Sequence, residues 1–542
     1  MNAPAFYKTA LHIGLSLLFV FSCREMLSQE TPSTVPPNII LIVADDLGWN
    51  DVGYHGSEIL TPTLDSLAAE GLELNRFYAH PTCSPTRGAI MTGKSPLRLG
   101  LLTPFTKNNR EGLPLREKIL PAYLKEVGYQ THLIGKWHLG RFNKAHLPNQ
   151  RGFDHFYGYL TGGIGHFNHV HGGGIDWQRN GQTVYEDGYV THLLTQEAVK
   201  KIKEHKRDNP FFIEVSYSAP HLPNEAPEQA VKKYTHLPDP DRQLFAAMVS
   251  EVDAGVRQIY EALLAQDLLK NTLIWFLSDN GGTNEGIYPS YLKRLVSTSH
   301  RIFDPPFPNN FLEFTRIAIE NSSGDNAPLK KGKGSVYEGG IRVPSFIYAP
   351  AFLKSRKIDD RITVNDILPT ILDMIAYSPQ GELDIDGVSQ WAFLQGWTGA
   401  PRVDFIAHGV FGDEAYLMDS LKLIIPEEGP LELYNVYHDP TETRNLASLP
   451  DQKEWISALR DKAHAFPRAE SVHDPIWKMI LDPDFFGGEV DRAPYAEIVG
   501  INRKPFPYGL VMGIAILMGA GFFLIRRRKA KKVRMGGQKK SD

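Results

Sequence analysis

Cysteine is almost missing: Cys23 and Cys83 are the 2 cysteines in 542 residues. That scarcity excludes a disulfide-stapled framework. An excess of one charge is missing too. The 58 Lys+Arg and 62 Asp+Glu leave a formal net charge of −4, so nothing argues for a nucleic-acid partner. Nothing in the composition suggests disorder beyond short linkers. With 42% hydrophobic and 22% charged residues, the composition is that of an ordinary globular protein. The length suits one large domain plus a smaller one, with ample core.

What is present begins with two apolar runs, one at each end. Lys8 precedes a run from Thr9 to Ser22, short for a bilayer span. The polar, Pro-rich stretch Gln29 to Pro37 follows, so residues 1–28 read as an export signal rather than a core helix. Val20-Phe21-Ser22-Cys23 also resembles a lipoprotein cleavage box, in which Phe21 is unusual. Removal or lipidation of Cys23 leaves Cys83 without a partner, and an unpaired cysteine in an exported chain hints at chemistry. The alternative, a Cys23–Cys83 disulfide, conflicts with the place of Cys23 inside the signal. At the other end, Tyr508 to Ile525 is near the short limit for a transmembrane helix. The cluster Arg526-Arg527-Arg528-Lys529-Ala530-Lys531-Lys532 predicts a cytoplasmic tail over 526–542. The expectation is an exported, membrane-anchored chain. A linker over 481–507 joins its globular part, periplasmic or at the cell surface, to the 508–525 helix.

Between those ends, residues 38 to 44 (Asn-Ile-Ile-Leu-Ile-Val-Ala) have the pattern of a strand buried on both faces of a parallel sheet. The run ends in Asp45-Asp46. These are either ligands at the carboxyl edge of an open α/β sheet or residues of a capping turn. Asn271 to Leu277 repeats the pattern and ends in Ser278-Asp279-Asn280-Gly281-Gly282. Asp45, Asp46, Asp279 and Asn280 together make an oxygen-only set, which selects Ca²⁺ or Mg²⁺ over zinc. Ca²⁺ is the ion expected. Gln130 to Gly135 is a strand leading to Lys136-Trp137-His138. If it continues, Lys136 and His138 share one face while Trp137 packs behind. Pro210 to Tyr217 is another strand, delivering His221 between Pro220 and Pro223.

Helices are expected around 61–71, 120–127, 191–205, 244–263 and 364–376, between and after these strands. The fold class is therefore α/β, a mostly parallel central sheet flanked by helices. After about residue 380 short strands and turns take over, which places a smaller α+β subdomain over 379–480. Glu251 and Asp253 read as solvated or structural. His166, His169 and His171 stand in a Gly-rich loop expected over the pocket, with one of them against substrate. Residues 284 to 326 read as an insertion that shapes substrate choice. Lys330 and Lys331 read as surface residues.

The stretch from Cys83 to Lys94 reads as a loop entering a helix. Pro85 suits the first helical position. Cys83 then lies just outside the N-terminus, where unpaired N–H groups and the dipole favour negative charge. Arg87 follows one turn on, on the same face. Cysteine, backbone donors and guanidinium could converge on one tetrahedral anion. The alternative is a buried structural cysteine.

The string Cys83-Ser84-Pro85-Thr86-Arg87, closed by Thr92-Gly93-Lys94, resembles the Cys-x-Pro-x-Arg signature of the sulfatase family. So do Asp45-Asp46 after the first strand and Gly135-Lys136-Trp137-His138-Leu139-Gly140. Gly332-Lys333-Gly334 ahead of Glu338-Gly339-Gly340-Ile341-Arg342-Val343-Pro344 agrees as well. The resemblance spans about residues 36 to 475 and implies an alkaline-phosphatase-like fold with its catalytic domain over 36–378. It implies that a formylglycine-generating enzyme oxidises Cys83 to formylglycine, whose hydrated aldehyde is the nucleophile. A divalent cation would then be held by Asp45, Asp46, Asp279, Asn280 and the residue at position 83. Arg87, Lys136 and Lys333 would neutralise sulfate. Asp279 would take or orient the nucleophile's proton, His221 and Lys333 would bind sulfate and protonate the leaving oxygen, and His138 would help expel sulfate. The implied substrate is a sulfate monoester; the export signal and anchor suggest sulfated carbohydrate. Two rivals are a phosphate or phosphonate monoester hydrolase of the same superfamily and a membrane-anchored carbohydrate-binding protein without catalysis.

Overall fold

The run at 38–44 is a strand in which every residue is buried. Ile39, Leu41 and Val43 enter one core layer, and Ile40, Ile42 and Ala44 enter another. Helices cover both faces of the sheet, which is why the run shows no polar alternation. The structure, a computed structural model, describes residues 36–472 except 106–108, 110, 172–173, 207–208, 285–322 and 400–403. The export signal, the 481–507 linker, the 508–525 helix, the basic tail and most of the 284–326 insertion lie outside the described residues.

Among the described residues, ten strands form the main sheet. In chain order they are β1 (Asn38–Ala44), β2 (Leu72–Leu74), β3 (Gln130–Lys136), β4 (His155–Tyr159) and β5 (Gln178–Arg179), then β6 (Gln182–Thr183), β7 (Phe211–Ser216), β8 (Thr272–Ser278), β9 (Ser345–Tyr348) and β10 (Arg356–Ile358). Their spatial order is β10-β2-β9-β8-β1-β7-β3-β4-β5-β6. The central run β8-β1-β7-β3-β4 is parallel throughout. Antiparallel pairing is confined to the flanks, where β9 meets β8 and β2, and β5 meets β4 and β6. The expected mostly parallel centre is present. Helices Cys83–Thr92, Leu120–Glu126 and Ile367–Met374 cover one face. Pro62–Glu70, Val190–Glu204 and Pro240–Ala265 cover the other.

The acidic residues of the long helix divide as structural groups. Asp253 accepts from the backbone N–H of Thr63 and of Leu64, both at 2.8 Å. It thereby caps the 62–70 helix, whose own Thr61 makes no side-chain cap. Glu251 pairs with His192 at 2.5 Å.

A four-stranded antiparallel sheet spans Phe405–His408, Glu414–Met418, Leu421–Ile425 and Glu432–Asn435. Helix Lys453–Ala465 packs on it through Leu459 and Ala463. Its tie to the main body is ionic and dry. Lys422 is fully buried between Glu338, at 3.1 Å, and Glu442, at 2.8 Å, and the Tyr78 hydroxyl donates to Glu338 at 2.8 Å. Burying such charges is tolerable only because each is paired and hydrogen-bonded. Lys330 is not the plain surface residue expected. Its Nζ donates to the Tyr434 hydroxyl and the Glu442 carbonyl, both at 3.3 Å, pinning it to this subdomain. Lys331 lies over the Tyr337 ring, 4.1 Å from its centroid. Among the described residues no helix is long and apolar enough to cross a membrane.

Candidate active site

The pairing register builds the site. Ala44 of β1 sits opposite Ser278 of β8, so Asp45-Asp46 and Asp279-Asn280 leave the same sheet edge side by side. Asp46 takes a left-handed turn at φ 68°, a conformation Asp tolerates better than most residues. Its backbone N–H donates to Asp279 Oδ1 at 3.3 Å. Its carboxylate accepts from Asn280 Nδ2 at 2.8 Å and from Thr283 Oγ1 at 2.9 Å. At the end of β3, Lys136 Nζ meets Asp45 Oδ2 at 2.7 Å with both side chains fully buried. Lys333 Nζ meets Asp46 Oδ1 at 2.5 Å.

The helix that carries the cysteine starts at Cys83 itself, with Thr82 as the N-cap. Pro85 is therefore its third residue, not its first, and Cys83 lies in the first turn rather than outside it. The first four N–H groups of a helix lack intrahelical partners, so proline is accommodated anywhere in that turn. Cys83 is 3% exposed. Burial pushes its thiol up, Lys136 and Lys333 pull it down, and Asp279 and Asp45 push it up again.

Arg87 is not open to an anion as expected. Its Nε and Nη2 donate to Asp279 Oδ2 at 3.0 and 2.8 Å. Its Nη1 donates to the Lys136 carbonyl at 3.3 Å and to Ser216 Oγ. A guanidinium buried this deeply must be paired, and here it holds a carboxylate in place.

Strand β3 stops at Lys136, and His138 has φ 56°. The pleat does not continue to His138, contrary to the expectation. Trp137 does pack behind, its indole N–H donating to the Gly140 and His146 carbonyls. His138 Nε2 lies 2.7 Å from the Phe105 carbonyl. That oxygen can only accept, so Nε2 carries the proton. Among the described residues Nδ1, which is buried, has no hydrogen-bond partner, and it presents a lone pair. His221 is arranged the other way round. Nδ1 donates to the Leu222 carbonyl at 2.8 Å, and Nε2 points at Asp46 Oδ2, 3.8 Å away. Burial, with Lys136 next, holds His138 far below the usual imidazole range. Burial brings His221 down to about 3 despite the Asp46 carboxylate. Both rings are neutral at pH 7 and act as acceptors. Burial would lower Lys333, but Asp46 raises it further, and it keeps its proton.

The residues fit a hard divalent cation. Among the described residues Asp45 Oδ1 and Asn280 Oδ1 are buried with no hydrogen-bond partner, a cost normally avoided. Burial raises the Asp45 and Asp279 carboxyls; Asp46 raises Asp45 further, and Asp45 raises Asp279 further. Ligand atoms of Asp45, Asp46 and His221 lie within 4.8 Å of one another.

Two glycines of the Gly-rich loop, Gly162 and Gly163, form a strap that closes the site. A Cβ at Gly162 would sit 2.5 Å from the His138 ring, and one at Gly163 would sit 2.9 Å from the His221 ring. Only glycine lets the backbone lie on both imidazoles. Asp176 Oδ2 anchors the strap, accepting from Leu160 N–H at 3.1 Å, Thr161 N–H at 2.9 Å and Thr161 Oγ1 at 2.6 Å. The Gly-rich loop lies over the site as expected. His166 supports the His221 carbonyl at 3.0 Å, and His171 lines a depression beside His138. His169 instead stacks on Trp177, 4.8 Å between centroids.

The family model described as Sulfatase matches residues 37–377. The chain belongs to the sulfatase family, within the alkaline-phosphatase superfamily. This sulfatase is 33% identical to arylsulfatase J of Mus musculus over 386 residues, 69% of this chain and 58% of that protein. It is 31% identical to N-acetylgalactosamine-6-sulfatase of Mus musculus over 396 residues, 69% of this chain and 68% of that protein. It thus spans less than two thirds of the length of arylsulfatase J. Among solved structures, Ps i-CgsB in complex with k-i-k-neocarrahexaose superposes with TM-score 0.70 at 29% identity, covering 83% of this chain and 98% of that one. A phosphonate monoester hydrolase of Agrobacterium radiobacter superposes with TM-score 0.53 at 19% identity, covering 79% of this chain and 95% of that one. That likeness shows the shared fold alone. In this sulfatase, Ser216 and Thr283 are further site residues the motifs did not single out, although Thr283 closes the Asp279-Asn280-Gly281-Gly282 string.

Proposed function

We propose that this chain hydrolyses sulfate monoesters of carbohydrates. Cys83 is converted to formylglycine, and a hard divalent cation, Ca²⁺ or Mg²⁺, is held by Asp45, Asp46, Asp279, Asn280 and the residue at position 83. The observation that carries the proposal is one dry cluster, in which three carboxylates, Lys136, Lys333 and Arg87 surround Cys83 at two strand edges. Three acidic and three basic groups cancel, so a divalent cation leaves the centre net positive, as an anionic ester requires. When bound, the cation and the hydrated aldehyde supply charge neutralisation and a nucleophile that position 83 otherwise lacks.

The other residues act as follows. Arg87 fixes Asp279, which orients the proton at position 83. Lys136 and Lys333 neutralise the sulfate oxygens. The lone pair on His138 Nδ1 accepts a proton. His221 Nε2 lies beside Asp46 and joins the ligand set or the sulfate contacts. The carbohydrate assignment is supported by Ps i-CgsB, solved with a neocarrahexaose. We place the catalytic domain outside the cytoplasm, exported through residues 1–28 and anchored through 508–525. Membrane fractionation of the full chain tests that placement.

The proposal is tested by expression with and without a formylglycine-generating enzyme. Mass spectrometry should find the aldehyde at residue 83 only in the first preparation, and arylsulfatase turnover should follow it. Full activity from unmodified protein, or from Cys83→Ala, would overturn the nucleophile assignment.

A further inference from the structure

Lys333 stands at the tip of a closed loop. The base of the loop is shut by the Gly339 N–H, which donates to the Lys330 carbonyl at 2.9 Å. At the tip, the Lys333 N–H donates to the Gly282 carbonyl at 3.1 Å, and the Gly334 N–H donates to the Pro81 carbonyl at 2.7 Å. The amine thus reaches Asp46 from backbone set between the Asp279-Asn280 turn and the stretch before Cys83. Two residues before Lys333, Lys331 takes φ 62°. A residue with a side chain keeps that left-handed conformation only where its surroundings enforce it.

The enforcement comes from outside the main sheet. Glu442 holds both stems of the loop. Its carbonyl accepts from Lys330 Nζ at 3.3 Å, and its Oε2 accepts from the Glu338 N–H at 2.7 Å. Glu442 is itself buried and left-handed, at φ 51°. Lys422 Nζ, 2.8 Å from Glu442 Oε1, fixes the carboxylate from the four-stranded sheet. The same subdomain reaches the tip through the Val410 N–H, which donates to the Gly334 carbonyl at 3.0 Å. A tie that merely joined two bodies would have no need to close on the loop that carries Lys333. Resting on the role of Lys333 in the proposed sulfate-ester hydrolysis, we propose that Glu442 is a positioning residue for Lys333. Through it the four-stranded subdomain sets where the amine meets sulfate.

The test joins amide hydrogen exchange to turnover of 4-nitrophenyl sulfate in Glu442→Ala, Glu442→Gln and Lys330→Met, each with its aldehyde content quantified. Glu442→Ala leaves the buried Glu338 N–H without its acceptor, whereas Glu442→Gln keeps one. Lys330→Met loosens the other stem and keeps the test open if neither Glu442 variant folds. In Glu442→Ala, amides of 333–340 should exchange about tenfold faster while those of β1 are unchanged. Its kcat should fall about tenfold. Glu442→Gln should recover part of both effects, and Lys330→Met should act in the same sense as Glu442→Ala. In a Lys333→Ala background, Glu442→Ala should cost less than about twofold, because residues that act through one another are not additive. Exchange that rises equally in β1 would overturn the proposal, as would a loss as large without Lys333 as with it. If Lys333→Ala has no turnover, the exchange result decides alone. No turnover of a sulfate ester by wild type would remove the proposed function, while exchange would still show whether Glu442 sets the loop.

Discussion

Glu214→Gln should make the stability of this protein less dependent on pH. Glu214 lies in the middle of β7, opposite Leu41 of β1 and Leu133 of β3. It is 3% exposed, and its Oε2 has no hydrogen-bond partner among the described residues. Burial raises its carboxyl from the ordinary 4.5 to about 7, and the opposing pull of Arg87 is too weak to offset this. The folded value lies above the unfolded one, so between them the native state binds more protons. Stability therefore falls as pH rises from about 4.5 to about 7 and stays low above that window. At ~1.4 kcal/mol per tenfold change, the penalty is about 3 kcal/mol. Glutamine leaves a buried amide whose cost does not change with pH. Urea unfolding of both proteins at about pH 4 and about pH 8 measures the effect. The variant's advantage over wild type should grow by about 3 kcal/mol, more than ~1 M in midpoint at a typical m-value. A difference independent of pH would refute the reasoning, because it would mean that Glu214 is already ionised in the folded protein.

Asp176→Ala should lower kcat about 10- to 100-fold by releasing the strap over His138 and His221, at the cost of three hydrogen bonds. Asp176→Asn, which keeps an acceptor oxygen, should recover part of the loss. An unchanged kcat with a lowered melting temperature would make Asp176 merely structural. Ca²⁺ or Mg²⁺ added to chelator-treated protein should raise the melting temperature, by about 2.7 kcal/mol of stability at a hundredfold excess over Kd. Asp279→Asn should flatten that response, and no shift with either ion would contradict the cation site.

The pattern of a fully buried strand made β1 and β8 legible, and their carboxyl edges gave Asp45, Asp46, Asp279 and Asn280. Those residues meet because a parallel register puts Ala44 beside Ser278. Composition could not show that Arg87 serves Asp279 from 192 residues away. Pro85 misled by two positions because the whole first turn of a helix tolerates proline. His138 left the expected face because the chain turns left-handed there. Asp176 and Lys422 carry no local signal. Each acts on groups distant in sequence, and nothing in Ile175-Asp176-Trp177 or Leu421-Lys422-Leu423 names those partners. Glu214 was hidden in the opposite way, inside an apolar run that reads correctly as a strand.

The decisive measurement is the turnover of 4-nitrophenyl sulfate and 4-nitrophenyl phosphate by preparations graded in aldehyde content at residue 83. Sulfate hydrolysis should rise in proportion to the aldehyde fraction and exceed phosphate hydrolysis throughout. A rate indifferent to that fraction, or faster on the phosphate ester, would contradict a sulfatase centred on the oxidised side chain at residue 83.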